Sequence, residues 1–262
     1  MIQAVNNLNN TANGFIVYPD YKPSGVAWLG DIPIHWDTMS LKFSLDIPIT
    51  DGPHETPNIL TEGIPFLSAE AVKNDKLDFN KKRGYISIED HKKFSKKYCP
   101  QRGDVYMVKS GATTGNVARV ETDEVFNIWS PLAVMRPNKN ITSTDFIFYT
   151  LKSDYFNTSV QLKWNFGTQQ NIGMGVLSNI DITLPPLSEQ QAIVKFLDEK
   201  TDHIDRLIDK QQQLINKLAE QRTAIISHAV TKGLNPNSPM KNSGVEWLGD
   251  IPEHWEVWKA TQ

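Results

Sequence analysis

Residues 21–36 read YKPSGVAWLGDIPIHW and residues 240–255 read MKNSGVEWLGDIPEHW, identical at twelve of sixteen positions with a fixed offset of 219. Two tryptophans and a proline hold register across that distance. Self-similarity at a long period is the signature of a duplicated architecture, and it constrains the fold more than any composition figure. The chain is expected to contain one full structural unit and then the opening of a second, with residues 233–262 as the truncated start of the second repeat.

At 262 residues with 39% hydrophobic content, the chain can bury a sizeable core in one large domain or two modest ones. Cys99 is its single cysteine, so no internal disulfide forms and no cysteine-based metal site exists, as befits a reducing, cytoplasmic setting. The start, MIQAVNNLNNTANG, lacks the basic-then-apolar pattern of a signal peptide. No window approaches 18 consecutive apolar residues, so no membrane partner is expected.

The net charge of −3 argues against a polyanionic partner, but its distribution argues for one. Residues 1–70 carry 2 Lys/Arg against 8 Asp/Glu, whereas residues 71–119 carry 12 against 5. Local sign matters more than the total when the partner is nucleic acid. The alternative is a solvated, lysine-rich surface helix.

Residues 1–20 are polar and Asn-rich and read as a flexible N-terminal segment. Residues 21–185 read as a mixed α/β (α+β) domain. Strands are expected at 64–67, 84–88, 104–109, 116–120, 131–136 and 180–184, and Gly and Pro punctuate them. Helices are expected over 89–97 and over 144–161, the latter capped by Ser143 or Thr144.

After Pro185-Pro186 the texture changes. Ser188 and Gln191 have capping-box spacing, and no Gly or Pro follows until beyond Val230. Positions alternating by four and three carry Ile193, Leu197, Lys200, Ile204, Leu207, Gln211, Leu214, Leu218, Gln221 and Ile225, a heptad seam. Residues 186–232 thus read as one long helix stopped by Gly233. A domain of this size cannot cover so long a seam. The helix is expected to project as a coiled coil and dimerise, with polar seam residues fixing register; folding back on its own domain is the alternative.

Catalytic signatures are missing. Ser110–Asn116 has the glycines of a phosphate loop but no Lys after the second. Leu184-Pro185-Pro186-Leu187 is not the Asn-Pro-Pro-aromatic box of adenine methyltransferases. The six histidines have no metal-ligand spacing, and His54-Glu55 reads more readily as turn chemistry than as an acid–base pair. No cofactor and no metal are expected on this chain.

These segments together resemble the specificity subunit of type I restriction–modification systems. SGVAWLGDIPIHW opens a target-recognition domain. DGPHETP (51–57) with GIPFLSAEAVKNDKLDF (63–79) is its early core, and RGDVYMVKSGATTGNVARV (102–120) its central hairpin. GTQQNIGMGVLSNIDITLPPLSEQQAIVKFLDEKT (167–201) leads into a spacer helix ending in HAVTKGL (228–234). The resemblance implies a non-catalytic DNA-recognition scaffold. It implies double-stranded DNA, modification (methyltransferase) subunits and a restriction subunit as partners, with S-adenosylmethionine, ATP and Mg on those subunits only. Family members usually carry two recognition domains and two antiparallel helices. This chain, with one of each, resembles a half subunit that forms a homodimer and reads a gapped palindrome. A truncated chain that binds modification subunits without reading DNA is the alternative, and an enzyme acting alone is a third reading.

Within the domain, Lys73, Lys76, Lys81, Lys82, Arg83, Lys92, Lys93, Lys96, Lys97 and Lys109 are candidates for phosphate contacts. So are Ser110, Gly111, Thr113 and Thr114 of the small-residue loop. Base reading needs paired donors and acceptors, which points to Trp164, Asn165, Thr168, Gln169, Gln170 and Asn171. Gln169 and Asn171 holding the loop to its own backbone is the alternative. Trp28, Trp36, Trp247 and Trp255 read as packing residues.

Overall fold

In the computed structural model, residues 11–12, 15–16, 18–163 and 171–258 are described. The chain divides into two compact units, residues 1–196 and 197–262. Strands β1 (Thr11–Ala12) and β2 (Phe15–Ile16) pair as a hairpin, and β3 (Tyr21–Pro23) pairs with β4 (Asp31–Pro33). Next come β5 (Asp37–Ser40), β6 (Thr50–Asp51), β7 (Ile64–Leu67), the hairpin of β8 (Val72–Lys73) and β9 (Lys76–Leu77), β10 (Gly84–Ile86) and α1 (Ile88–Ser95). Strands β11 (Val105–Val108), β12 (Val117–Arg119), β13 (Asn127–Ile128) and β14 (Leu132–Met135) precede α2 (Thr144–Lys152), α3 (Asp154–Lys163) and α4 (Met174–Ser178). Strand β15 (Asp181–Leu184) leads to α5 (Leu187–Lys232), and β16 (Met240–Asn242) and β17 (Asp250–Pro252) form the last hairpin. All six expected strands are present, within a residue or two of their predicted ends.

The VYMV of β11 and the LAVM of β14 are unbroken apolar runs because both faces of their sheet are covered. That sheet has the order β12-β11-β14-β6. Side chains alternate between its faces. Val105, Met107, Ala133 and Met135 pack with Ile147, Leu151, Phe156 and Leu177 of α2–α4. Tyr106, Val108, Leu132 and Val134 pack with Leu67 and Ile128 of a second sheet, β10-β7-β13. Phe66, on the other face of β7, packs with Phe94 of α1. The layers are therefore helices α2–α4, the four-stranded sheet, the three-stranded sheet, and α1.

The helix expected over 144–161 is two helices. Ser153 is extended, closes α2 and accepts a hydrogen bond from the Phe156 N–H at 3.4 Å. Serine competes with the backbone for hydrogen bonds and so favours caps over helix interiors. Ser143 caps α2 as expected, accepting from the Phe146 N–H at 3.1 Å.

Helix α5 starts at Leu187, two residues earlier than a capping box at Ser188 requires. The Pro186 carbonyl accepts from the Glu189 and Gln190 N–H groups at 2.8 and 2.9 Å, which leaves Ser188 inside the first turn. The anchor is Gln190 instead. Fully buried, its amide donates to the Ile141 and Pro185 carbonyls at 3.0 and 2.9 Å, and its oxygen accepts from Thr142 Oγ1 at 2.9 Å. A buried amide costs stability unless its groups are paired, and here donor and acceptor both are.

At the far end of α5, Gly233 takes φ +78°, and its N–H donates to the Ala229 carbonyl at 3.2 Å. That is the left-handed stop the sequence implied. Among the tryptophans of the repeat, Trp247 departs from expectation. It is 86% exposed rather than packed.

Candidate nucleic-acid interface

Registers decide what gathers at one end of the four-stranded sheet. Ala133 pairs with Asp51, Val108 with Leu132, and Met107 with Val117. The loop after Asp51, the 109–116 hairpin and the turn before Leu132 therefore share that end. Asn171 joins them through a β-bridge to Ser110, and the Ile172 N–H donates to the Lys109 carbonyl at 2.7 Å.

Asp51 is the centre of this end. Its carboxylate is completely buried, yet three basic side chains surround it. Lys97, just past α1, bonds Oδ1 and also donates to the Gly52 carbonyl at 3.0 Å. Lys109 Nζ lies 3.3 Å and His54 Nε2 3.1 Å from Oδ2. An isolated buried carboxylate costs several kcal/mol, so the pairing is what makes the burial tolerable. Two lysines against one carboxylate leave a local positive excess. Lys97 is 45% exposed and His54 70% exposed at the side chain, so part of that excess faces solvent. Only glycine fits at position 52, because an added Cβ would overlap the Ile128 carbonyl.

Basic groups flank this centre. The Arg83 guanidinium lies 4.3 Å from the centre of the Trp129 ring and 3.8 Å from Glu70, a cation–π stack. Lys93 pairs with Glu55 at 2.6 Å. Lys92 and Lys93 lie in the last turn of α1, and Lys96 and Lys97 follow directly after its end at Ser95.

The 109–116 hairpin is held by its own backbone. The Thr114, Gly115 and Asn116 N–H groups donate to the Gly111, Val108 and Thr113 carbonyls at 3.2, 2.8 and 3.0 Å. Gly111 and Gly115 have φ of +107° and +98°, the conformation that requires glycine. A groove lined by Asn74, Asp75, Gly115, Asn116, Lys152 and Asn157 connects this hairpin to the β8–β9 turn. Lys73 faces Lys76 across that turn, whose two central residues, Asn74 and Asp75, both have positive φ. Two left-handed residues match the twist of a tight hairpin. Lys152 bonds Asp75 and so takes up the one carboxylate in the turn.

Among the described residues no cluster of His, Cys, Asp and Glu suits a metal ion. No helix among them is long and apolar enough to cross a membrane.

Residues 51–219 match the family model of the type I restriction modification DNA specificity domain. The chain belongs to that family. It is similar to the putative type I restriction enzyme MjaX specificity subunit of Methanocaldococcus jannaschii, 30% identical over 236 residues that cover 87% of this chain and 52% of that one. The MjaVIII specificity subunit of the same organism is 28% identical over 206 residues, covering 76% and 41%. A chain from a solved structure, described as the basis of complex assembly and conformational transition of the type I R-M system, superposes with a TM-score of 0.61. It is 25% identical and covers 78% of this chain and 48% of that one. The chain spans about half the length of the curated relatives it matches.

In this specificity chain the residues expected to meet DNA separate into groups. Arg83, Lys93, Lys97, Ser110, Gly111, Thr113, Thr114 and Asn171 come together at the Asp51 end of the sheet, and Lys73 and Lys76 adjoin it across the groove. Lys81, Lys92 and Lys96 are exposed and have no carboxylate partner among the described residues. Lys82 donates to the Phe79 carbonyl at 3.1 Å and lies 5.0 Å from the Tyr85 ring centre. Lys109 is a correction: it is buried against Asp51, so it supports the site from beneath rather than reaching a phosphate. The backbone N–H groups of Thr114, Gly115 and Asn116 donate within the hairpin, which leaves the loop's side chains and its earlier amides for a phosphate. Trp164, Asn165, Thr168, Gln169 and Gln170 lie outside the described residues.

Sequence reasoning passed over Asp51 and Trp129 as site residues. Their partners are distant in the chain, Lys97 being 46 residues from Asp51, and no periodicity encodes such a pairing. One signal was present: an Asp-Gly pair followed by His54, ahead of the basic block in the chain. Of the His54-Glu55 neighbours, His54 pairs with Asp51 and Glu55 with Lys93.

Proposed function

We propose that this chain is a half-length, non-catalytic specificity subunit of a type I restriction–modification complex. In this reading residues 21–185 form the target-recognition domain and bind one half of a bipartite site in double-stranded DNA. The Asp51 end supplies phosphate contacts from Lys97, Lys93, Arg83 and the Ser110–Thr114 loop. The segment running from Trp164 to Asn171 supplies base contacts. Residues 186–232 are the dimerisation helix, and residues 233–262 open a second repeat. The modification and restriction subunits dock on this scaffold in the cytoplasm and bring S-adenosylmethionine, ATP and Mg with them.

The observation that carries the reading is the uncovered seam of α5. Ile204, Leu207, Leu214, Leu218 and Ile225 are each between 47% and 60% exposed. Burying a Leu or Ile side chain contributes roughly 1.5–3 kcal/mol, so a row of this kind favours a partner helix. The ten seam positions are arranged symmetrically about Asp209. A second copy laid antiparallel therefore sets Ile204 against Leu214 and Ile193 against Ile225, and it places Lys200, Gln211 and Gln221 against leucines, where polar seam residues fix register. The 46-residue helix is about 70 Å long at 1.5 Å per residue. It would hold two identical readers at a fixed separation about a two-fold axis. Two-fold readers match inverted repeats, as dimeric operator-binding proteins do.

The test is a map of N6-methyladenine in cells expressing the chain with its cognate modification subunit. A gapped inverted repeat is the expected result. An assembled complex that leaves the DNA unmethylated would overturn the reading and favour a chain that binds modification subunits without reading DNA.

A further inference from the structure

The two copies of the repeated segment fold into the same object. Strands β3 and β4 pair Tyr21 with Pro33 and Pro23 with Asp31; β16 and β17 pair Met240 with Pro252 and Asn242 with Asp250, the same register shifted by the sequence offset. Ser24 Oγ accepts from the Val26 N–H at 3.1 Å, and Ser243 Oγ accepts from the Val245 N–H at 3.1 Å. Gly25 and Gly244 have φ of +80° and +70°, and Gly30 and Gly249 have +72° and +66°. Ile32 and Ile251 are both buried.

Their surroundings differ. The Trp28 indole N–H donates to Ser159 Oγ of α3 at 2.7 Å, and His35 Nε2 lies 2.8 Å from Glu189 Oε2 in the first turn of α5. The first copy thus shows which socket this hairpin fits. Trp247 and His254 are the equivalents of Trp28 and His35. Trp247 is 86% exposed where Trp28 is 40% exposed, and His254 is exposed beside the neighbouring Trp255 ring. The second hairpin is nevertheless held in place. Lys232 donates to the Leu248 carbonyl at 3.4 Å and also to the Asp250 carbonyl, and Gly233 faces Pro252 and Trp255. It therefore presents an unused copy of a docking surface from the last turn of its helix.

We propose that the second hairpin docks in trans. It seats Trp247 and His254 on Ser159 and Glu189 of a second copy of this chain, in exchange with that copy's own Trp28 hairpin. The proposal rests on the antiparallel pairing of α5. Symmetry about Asp209 sets Glu189 of one copy opposite Ala229 of the other, one turn before Lys232. Beside the first hairpin, Glu189 receives a further hydrogen bond. It comes from Tyr18, whose equivalent is Asn237. The first hairpin therefore holds the socket more tightly, and the exchange is partial until that hold is weakened. Exchange of identical elements between protomers is a low-cost route to a closed dimer.

The experiment uses the full-length chain with a photo-crosslinking amino acid in place of the exposed Glu246, beside Trp247. Copies with normal and heavy isotopes are mixed so that crosslinks between copies are identified by mass, while light scattering records the dimer. The expected result is an inter-copy crosslink from position 246 to residues 155–163. It should rise several-fold with Trp28→Ala and disappear with Trp247→Ala. Trp28→Phe, which keeps the packing and removes only the indole donor, serves if Trp28→Ala fails to fold. A dimer by light scattering without this crosslink, in both the wild-type and the Trp28 variant, overturns the trans docking and leaves the helix pairing intact. A monomer overturns both.

Discussion

Strand β11 and helix α5 carry the clearest apolar patterns in the chain, and their apolar rows end in opposite places. Val105, Tyr106, Met107 and Val108 of β11 are all fully buried, between the helical layer on one face and the three-stranded sheet on the other. Along α5 burial stops almost at once. Gln190 is buried, Ile193 and Leu197 are half-buried, and every residue from Asp202 to His228 is exposed. The first pattern is satisfied by the chain's own neighbours. The second stays exposed along residues 202–228. An apolar period states that a face wants covering; it does not state what covers it.

The sharpest way to break this comparison is to damage each side and ask whether the other responds. Asp104 is buried, accepts from Arg136 at 2.7 and 2.9 Å and from the Gln101 N–H at 2.9 Å, and bonds the Tyr98 hydroxyl. Burial first, then Tyr106 and Asp104, pushes the Tyr98 phenol far above its usual range, so it stays a donor at any ordinary pH. Asp104→Ala strands Arg136 and is expected to cost about 3–5 kcal/mol, read as a lower denaturant midpoint, with dimerisation through α5 intact wherever the unit remains folded.

The converse change is Leu214→Lys with Leu218→Lys. It is expected to weaken the dimer at least about 100-fold, roughly 3 kcal/mol, measured by sedimentation. Melting of the recognition unit below the dimer transition should stay in place; a fall in that melting temperature would mean the seam is covered in cis, and the contrast with β11 would fail.

Gln190→Ala tests the junction between the two patterns. It leaves the Thr142 hydroxyl and the Ile141 and Pro185 carbonyls without their partner, and about 1–3 kcal/mol is expected to be lost, with amide hydrogen exchange rising first at the start of α5. The smallest effect on stability belongs to Lys73→Ala with Lys76→Ala, within about 0.5 kcal/mol. If both lysines contact phosphates, the slope of log Kobs against log salt for DNA binding becomes shallower by about 1.8. An unchanged slope would remove the β8–β9 turn from the interface.

Much of this architecture was legible in the residues. Six strands followed from apolar runs bounded by Gly and Pro, because local chain chemistry sets those limits; short strands such as β6 and β13 lack such a run. Helix α5 followed from its heptad and its glycine stop. The division of 144–161 at Ser153 was missed because the apolar period continues across the break while the serine changes only the backbone. The site was harder to read. Counting charge located the basic block, but a count cannot separate Lys97, which is partly exposed, from Lys109, which points inward to the same carboxylate.

What the sequence by itself determined is the repeat and a long helix with a heptad seam, since each depends on residue identity or on a simple period. Only the tertiary structure decided that Asp51 gathers Lys97, Lys109 and His54, that Gln190 rather than Ser188 secures α5, and that Trp28 is seated while Trp247 is bare. The reason is physical. Those outcomes depend on pairings between distant segments, where burial makes an unpaired charge or amide costly, and that cost exists only once the layers have closed around it.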